Sequence, residues 1–287
     1  RRRDLRITGM GAQFGEFRLG RWRAPAAAAC WIGIAVMLFI PLSALLTAAL
    51  VRAYGLPLSW ETLTLRHFDN ALFNHAAIRR AFLTSLSLAT MTATILMAVA
   101  IPLGYFLTWR KSMAVRLLSL AAELSYALPG AVIAIAAILF FLKPLPVIGV
   151  SLYGTIWIIL AAYLANRLLL ALRPTVSGFL QIDRALDEAA RVAGAGFVRS
   201  LKDILLPMVA PCAAAGAILV FLTALAEIQV SILLVSSGAR TIGSIVYFLE
   251  ESASSSLASA VGVLIVAAVF LLMLAASLLR SRLPRGV

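Results

Sequence analysis

The sequence is short of charge. Only 13% of its 287 residues are Asp, Glu, Lys or Arg, whereas 62% are hydrophobic. A soluble chain of this length carries about a quarter charged residues, so a large water-soluble core is a poor reading. Lysine is scarcer still, with Lys111, Lys143 and Lys202 only, and none of them follows a glycine. A phosphate-cradling loop ends in Gly-Lys-Ser/Thr, so the sequence offers no such site for ATP. The two histidines, His67 and His75, share one stretch between apolar runs. A pair eight residues apart could bind metal but is weak evidence for it, and it gives a Ser/His/Asp triad nowhere to assemble. Cys30 and Cys212 lie within or beside apolar runs, without partners at metal-ligand spacing, and read as small packing residues. No metal site and no cofactor of its own are expected.

What the sequence has in abundance is long apolar runs. A bilayer core about 30 Å thick takes ~20 residues of helix, and six stretches qualify, at roughly 27–51, 81–109, 115–142, 150–172, 208–236 and 258–279. In lipid the backbone satisfies its own hydrogen bonds, so these are helices and the fold class is all-α transmembrane. With the N-terminus placed in the cytoplasm, all but six of the 25 Lys and Arg fall on inner segments; the six are Arg52, Arg66, Arg79, Arg80, Lys143 and Arg240. This bias puts both termini and the 173–207 connection inside. It also accounts for the net charge of +13 without nucleic acid. Residues 1–26 form a basic segment that has no signal-peptide core, and 27–287 form the membrane domain.

Inside the spans, Pro41, Pro102, Pro211 and the pair Pro129-Gly130 interrupt apolar runs. The pair, deep in the third run, is the most suggestive of a cavity lining. Glu123 lies in the third run, Asn166 and Arg167 at the inner end of the fourth, and Glu227 midway along the fifth, with Gln229 beyond it. Buried ionisable groups in a membrane face protein or water. Glu227, Gln229, Glu123, Pro129 and Gly130 therefore stand as candidates for a translocation path. The alternative is an interhelical pair such as Glu123 with Arg167. The outer stretch 52–80 carries Leu63, Leu65, Phe68, Ala71, Leu72 and Phe73 in an amphipathic pattern that suits the membrane surface.

Between the fourth and fifth runs lies "LDEAARVAGAGFVRSLKDILLP", an insert at about 177–207. Asp183 can cap a helix that Asp187 and Glu188 suit in its first turn. Gly194 and Gly196 allow a left-handed turn to end it. A second short helix follows, with Phe197, Leu201, Ile204 and Leu205 on its apolar face. Glu188-Ala189-Ala190, then Gly194, Ile204 and Leu206-Pro207, at these spacings, resemble the EAA motif of the membrane subunits of binding-protein-dependent ABC importers. The six-run layout is similar to the type I permease core of that family. "SYALPGAVIAIA" and "TALAEIQVSILLV" resemble its ferric-iron branch, and "ITGMG…LGRWR" resembles the linker before the second half of fused permeases.

The resemblance implies an ATPase-coupling element made of Asp187, Glu188, Ala189, Ala190, Gly194, Ile204, Leu206 and Pro207. It implies two ABC ATPase subunits holding ATP and Mg, a second permease half (a copy or a fused repeat), a periplasmic or surface binding protein, and surrounding membrane lipid. It implies alternating access in a bacterial inner membrane, with ferric iron as the first substrate expectation and polyamine, thiamine, phosphonate or sulfate-type anions as others. A proton-coupled transporter using Glu227 is the competing expectation.

Overall fold

The computed structural model describes residues 20–110, 113–144, 149–236 and 238–282, with side chains to Leu274. Most of the basic opening segment, residues 1–19, lies outside the described residues, and with it the linker resemblance as far as Leu19.

Among the described residues, twelve α-helices follow in order. They are α1 (Arg23–Leu50), α2 (Arg66–Asp69), α3 (Ala76–Tyr105), α4 (Met113–Ala127), α5 (Gly130–Phe141), α6 (Ile156–Gln181), α7 (Ala185–Val192), α8 (Phe197–Ser200), α9 (Leu206–Leu225), α10 (Gln229–Leu233), α11 (Ile242–Glu251) and α12 (Ser255–Arg282). Single π-turns extend α2 through Asn74, extend α3 through Arg110, and join α8 to α9 over Leu201–Leu205. Strand structure among the described residues is limited to two isolated bridges, Val51–Leu63 and Ser236–Ala239. Five continuous helical stretches are long and apolar enough to cross a membrane, and α4 with α5 makes a sixth if the bent pair is one span.

The core is the mutual packing of α3, α6 and α9. Small residues let their backbones approach. A Cβ on Gly178 of α6 would lie 2.8 Å from Cys212 Cβ of α9, and one on Gly216 of α9 would lie 3.0 Å from the Ala171 carbonyl of α6. Close approach of this kind is how helices gain contact in lipid, where burial of apolar surface gives no drive. Cys212 is thus a packing residue at a crossing, whereas Cys30 is exposed on α1. The buried Thr92 and Thr175 return their hydroxyls to Leu88 and Ala171 carbonyls, each at 2.7 Å, so neither presents an unsatisfied donor to the core. α1 packs chiefly on α12 and leaves Trp31, Met37, Phe39 and Ile40 outward, as a lipid-facing helix should.

The helices depart from the sequence expectations at four places. The third run is two helices, because the chain turns by 116° between Ala127 and Gly130. Pro129 lacks an N–H to continue α4 and sits extended (φ −57°, ψ 143°). By contrast, Pro41, Pro102 and Pro211 lie inside continuing helices. The fourth run extends past 172 to Gln181, so Arg167 is mid-helix and not at its inner end. The fifth run breaks after Leu225, and Glu227 stands in the break. The outer stretch folds only partly as an apolar surface helix: Ala71 is buried, and His67 Nε2 lies 3.1 Å from the Val51 carbonyl.

Candidate functional site

Two polar clusters separate along α6. The first is the insert. Asp183 Oδ1 accepts from the Ala185 N–H at 3.0 Å and starts α7. Gly194 ends it at φ +87°, with nothing within 4 Å of a built Cβ. Gly196 has φ −70°, so the left-handed turn rests on Gly194 alone. The motif positions then divide. Ala190 is buried, and Ile204 and Leu206 pack on the cluster of Ile101, Tyr105, Phe179, Leu205, Val209 and Ala213. These hold the insert on the bundle. Glu188, Ala189, Gly194 and Pro207 are exposed. Glu188 reaches only Arg184, at 3.2 Å, with its side chain 63% exposed. Such a pair holds its carboxylate weakly. One turn on, Val192 is 90% exposed, and Val198 of α8 is 71% exposed.

Asp187 departs from its expected place in the docking surface. It is 5% exposed and faces inward. Its Oδ1 accepts from Ser200 Oγ at 2.7 Å, and its Oδ2 from Tyr105 Oη at 3.1 Å and from Arg191 Nε at 3.0 Å. Arg191 Nη2 also donates to Tyr105 Oη. The Asp187 to Arg191 spacing, one helical turn, was legible in the sequence. Tyr105 lies 82 positions away from Asp187, and no local signal names it.

The second cluster fills the break in the fifth span. Glu227 accepts from the N–H groups of Val230 at 2.8 Å and Ser231 at 3.1 Å, and from Tyr163 Oη at 3.2 Å. It thereby caps α10. Arg167 donates from Nη2 to the carbonyl of Thr223, in the last turn of α9, at 3.0 Å, and from Nη1 to Asn166 Oδ1 at 3.3 Å. It lies 4.6 Å over the Tyr163 ring and is 6% exposed, with Nε unpaired. A cation therefore meets the C-terminal end of one half-helix and an anion the N-terminal end of the next, matching the helix dipoles. A broken helix in lipid must satisfy its freed backbone groups, and this pair does so.

The two breaks meet. Gln229 Oε1 accepts from the Gly130 N–H at 3.2 Å, which brings Glu227, Gln229, Pro129 and Gly130 together. Asn166 ties the same region to α4 through the Ser125 carbonyl at 3.0 Å. Glu123 is not part of it, nor is it paired with Arg167. It faces Arg173 at 3.8 Å, with both side chains exposed. Tyr126, Thr223 and Gln229 are exposed on the surrounding surface. No group of three or more His, Cys, Asp or Glu that could hold a metal occurs among the described residues.

The probable ABC transporter permease protein y4fN of Sinorhizobium fredii is 28% identical over 193 residues, which are 67% of this chain; the match spans 34% of that protein's length. The putative 2-aminoethylphosphonate transport system permease protein PhnV of Salmonella paratyphi A is 23% identical over 91% of this chain and 96% of its own. The fold matches a bacterial alginate ABC transporter, solved in complex with alginate pentasaccharide-bound periplasmic protein, at a TM-score of 0.72 and 19% identity, covering 93% of this chain and 97% of that one. Residues 100–287 match the model of the binding-protein-dependent transport system inner membrane component. The chain belongs to that family of multi-pass ABC importer permeases.

Proposed function

We propose that the chain is the membrane half of an ATP-driven importer that receives its solute from a binding protein. The observation that carries this reading is the outward face of the insert: Glu188 loosely held beside exposed Val192, at the end of a bundle to which Ala190, Ile204 and Leu206 anchor it. An ATPase subunit holding ATP and Mg docks there, one for each half. The other half is a second copy or another repeat; y4fN, of which the matched stretch is 34%, is long enough to hold more than one. The insert and both termini face the cytoplasm of a bacterial inner membrane, as the positive-inside bias supports.

The path runs along the face where Tyr126, Thr223 and Gln229 are exposed beside the two helix breaks. Polar side chains at that depth face water or the other half in preference to lipid. For the solute, PhnV is named for 2-aminoethylphosphonate, which bears an anionic phosphonate beside its ammonium group, and the structural neighbour for alginate, a polyanion; y4fN is named for no solute. An anionic solute of the phosphonate type is therefore favoured over ferric iron. A proton-carrying Glu227 fits less well, since three donors already hold its carboxylate.

The test is capture. The tagged chain is solubilised gently from its own membrane, and co-purifying proteins are identified by mass spectrometry. An ATPase subunit bearing a P-loop should accompany the wild type and be lost from Glu188→Ala. Equal recovery from both would sink the docking role of Glu188. A binding protein in the same sample, assayed with labelled 2-aminoethylphosphonate and with ferric iron, decides between the two solutes.

A further inference from the structure

We infer that Tyr105 is a latch that fastens the coupling insert to α3, a positioning residue whose role rests on the importer reading above. The chain joins the insert covalently to two helices only, α6 before it and α9 after it. Nothing in that connectivity ties it to α3. Yet the last residue of α3 sits at the insert's centre, 1% exposed.

Its ring and its hydroxyl do different things. The ring packs at 6.3 Å from Phe179 of α6 and at 5.0 Å from Phe197 of α8, with Phe106 and Trp109 of its own π-turn at 5.4 and 5.3 Å. Ring contacts of this kind are cohesive and tolerate sliding. The hydroxyl is directional: it donates to Asp187 and accepts from Arg191, both on α7. Ser200 of α8 holds the other oxygen of the same carboxylate. Both helices of the insert are therefore tied through one buried carboxylate to one α3 hydroxyl. Charge-assisted hydrogen bonds are short and geometrically demanding, so the insert and α3 must move together or break the network.

The consequence concerns force. Glu188, the outward contact, is the chain neighbour of Asp187. A push delivered at Glu188 reaches α6 and α9 through the backbone and α3 through Tyr105, so all three core helices receive it. Phenylalanine at 105 would keep the ring contacts and leave Asp187 short of one donor and Arg191 of one acceptor. The shape would remain, and the directional tie to α3 would be lost.

The experiment uses the complete transporter in liposomes, with its ATPase and its binding protein. ATP hydrolysis is measured with and without the solute-loaded binding protein, for wild type, Tyr105→Phe and Ser200→Ala. Tyr105→Phe should still co-purify with the ATPase. Its ratio of stimulated to unstimulated hydrolysis should fall by roughly tenfold, the change that about 1.4 kcal/mol produces. Ser200→Ala, which loosens the same carboxylate without touching α3, should lower the ratio less. A mere loss of folding would instead lower yield and ATPase recovery. A Tyr105→Phe transporter that recovers its ATPase and is stimulated like wild type overturns the latch alone. If the wild-type chain recovers no ATPase at all, the importer reading falls and the latch with it.

Discussion

The two polar clusters have the same parts: a tyrosine, a carboxylate and a guanidinium. At the insert, Asp187 and Arg191 touch at 3.0 Å and Tyr105 binds both. In the span, Glu227 and Arg167 form no ion pair. Tyr163 stands between them, donating to one and lying under the other. The difference follows from the surroundings. At the end of the bundle each helix is short, and charges serve to join elements that the chain leaves separate. Within the membrane the backbone itself is the liability, and each charge goes to a freed half-helix end. The same chemistry is thus spent on tertiary linkage in one place and on backbone satisfaction in the other.

The comparison is most sharply broken by removing Glu227. Glu227→Ala strips acceptors from two backbone N–H groups and leaves Arg167 buried with no nearby anion. Three hydrogen bonds to the carboxylate are lost, and a hydrogen bond to a charged group is worth roughly 1.5–3 kcal/mol. The detergent-solubilised variant should therefore unfold at a clearly lower temperature and be recovered poorly. Wild-type thermal stability would show that Glu227 does not hold the break. Glu227→Gln keeps one acceptor oxygen and should lose much less stability. If it folds and is recovered normally but transport fails, Glu227 has a role in the path beyond capping.

Next in size is Asp187→Ala at the insert. It removes three hydrogen bonds, one of them from a charged donor, but water is close by to solvate the released groups. A hydrogen bond to a charged group is worth roughly 1.5–3 kcal/mol, and the loss should appear as local loosening. Hydrogen exchange of the amides of residues 185–200 should quicken while those of α3, α6 and α9 stay protected. Uniform deprotection of all four regions would mean that the insert is integral to the bundle and not a linked appendage.

These contrasts were only partly visible in the sequence. The apolar runs gave the spans because length and composition decide them in lipid, and Pro129-Gly130 marked a break because proline removes a donor. The break at Glu227 was hidden. "TALAEIQVSILLV" has no proline or glycine, and the helix ends because the Glu227 side chain competes for the N–H groups of Val230 and Ser231. Packing adds to it, as Gly243 of α11 lies too close to the Glu227 carbonyl to carry a Cβ. The pairing of Glu123 with Arg167 failed for a simpler reason. α6 runs on to Gln181, which brings Arg173 and not Arg167 to the level of Glu123. At the insert, the turn at Gly194 was legible from local chemistry, whereas the outward role of Glu188 came only from the resemblance to the EAA motif. The inward Asp187 was not legible, because its partner Tyr105 comes from another helix.

The smallest effect expected is at Gly194, and it separates backbone from contact. With φ +87° and open space around a built Cβ, Gly194→Ala meets no neighbour, so its cost is left-handed backbone strain of about 1–2 kcal/mol. That strain falls on the turn between α7 and α8, where the Asp187 to Ser200 bond must close across it. Bundle stability should therefore change little, while recovery of the ATPase drops modestly. Gly194→Asp brings a negative charge to the exposed surface of the insert, so its recovery should drop further. Equal recovery from the alanine and aspartate variants would mean that only the turn geometry matters at this position. A larger loss with aspartate would place Gly194 on the docking surface itself.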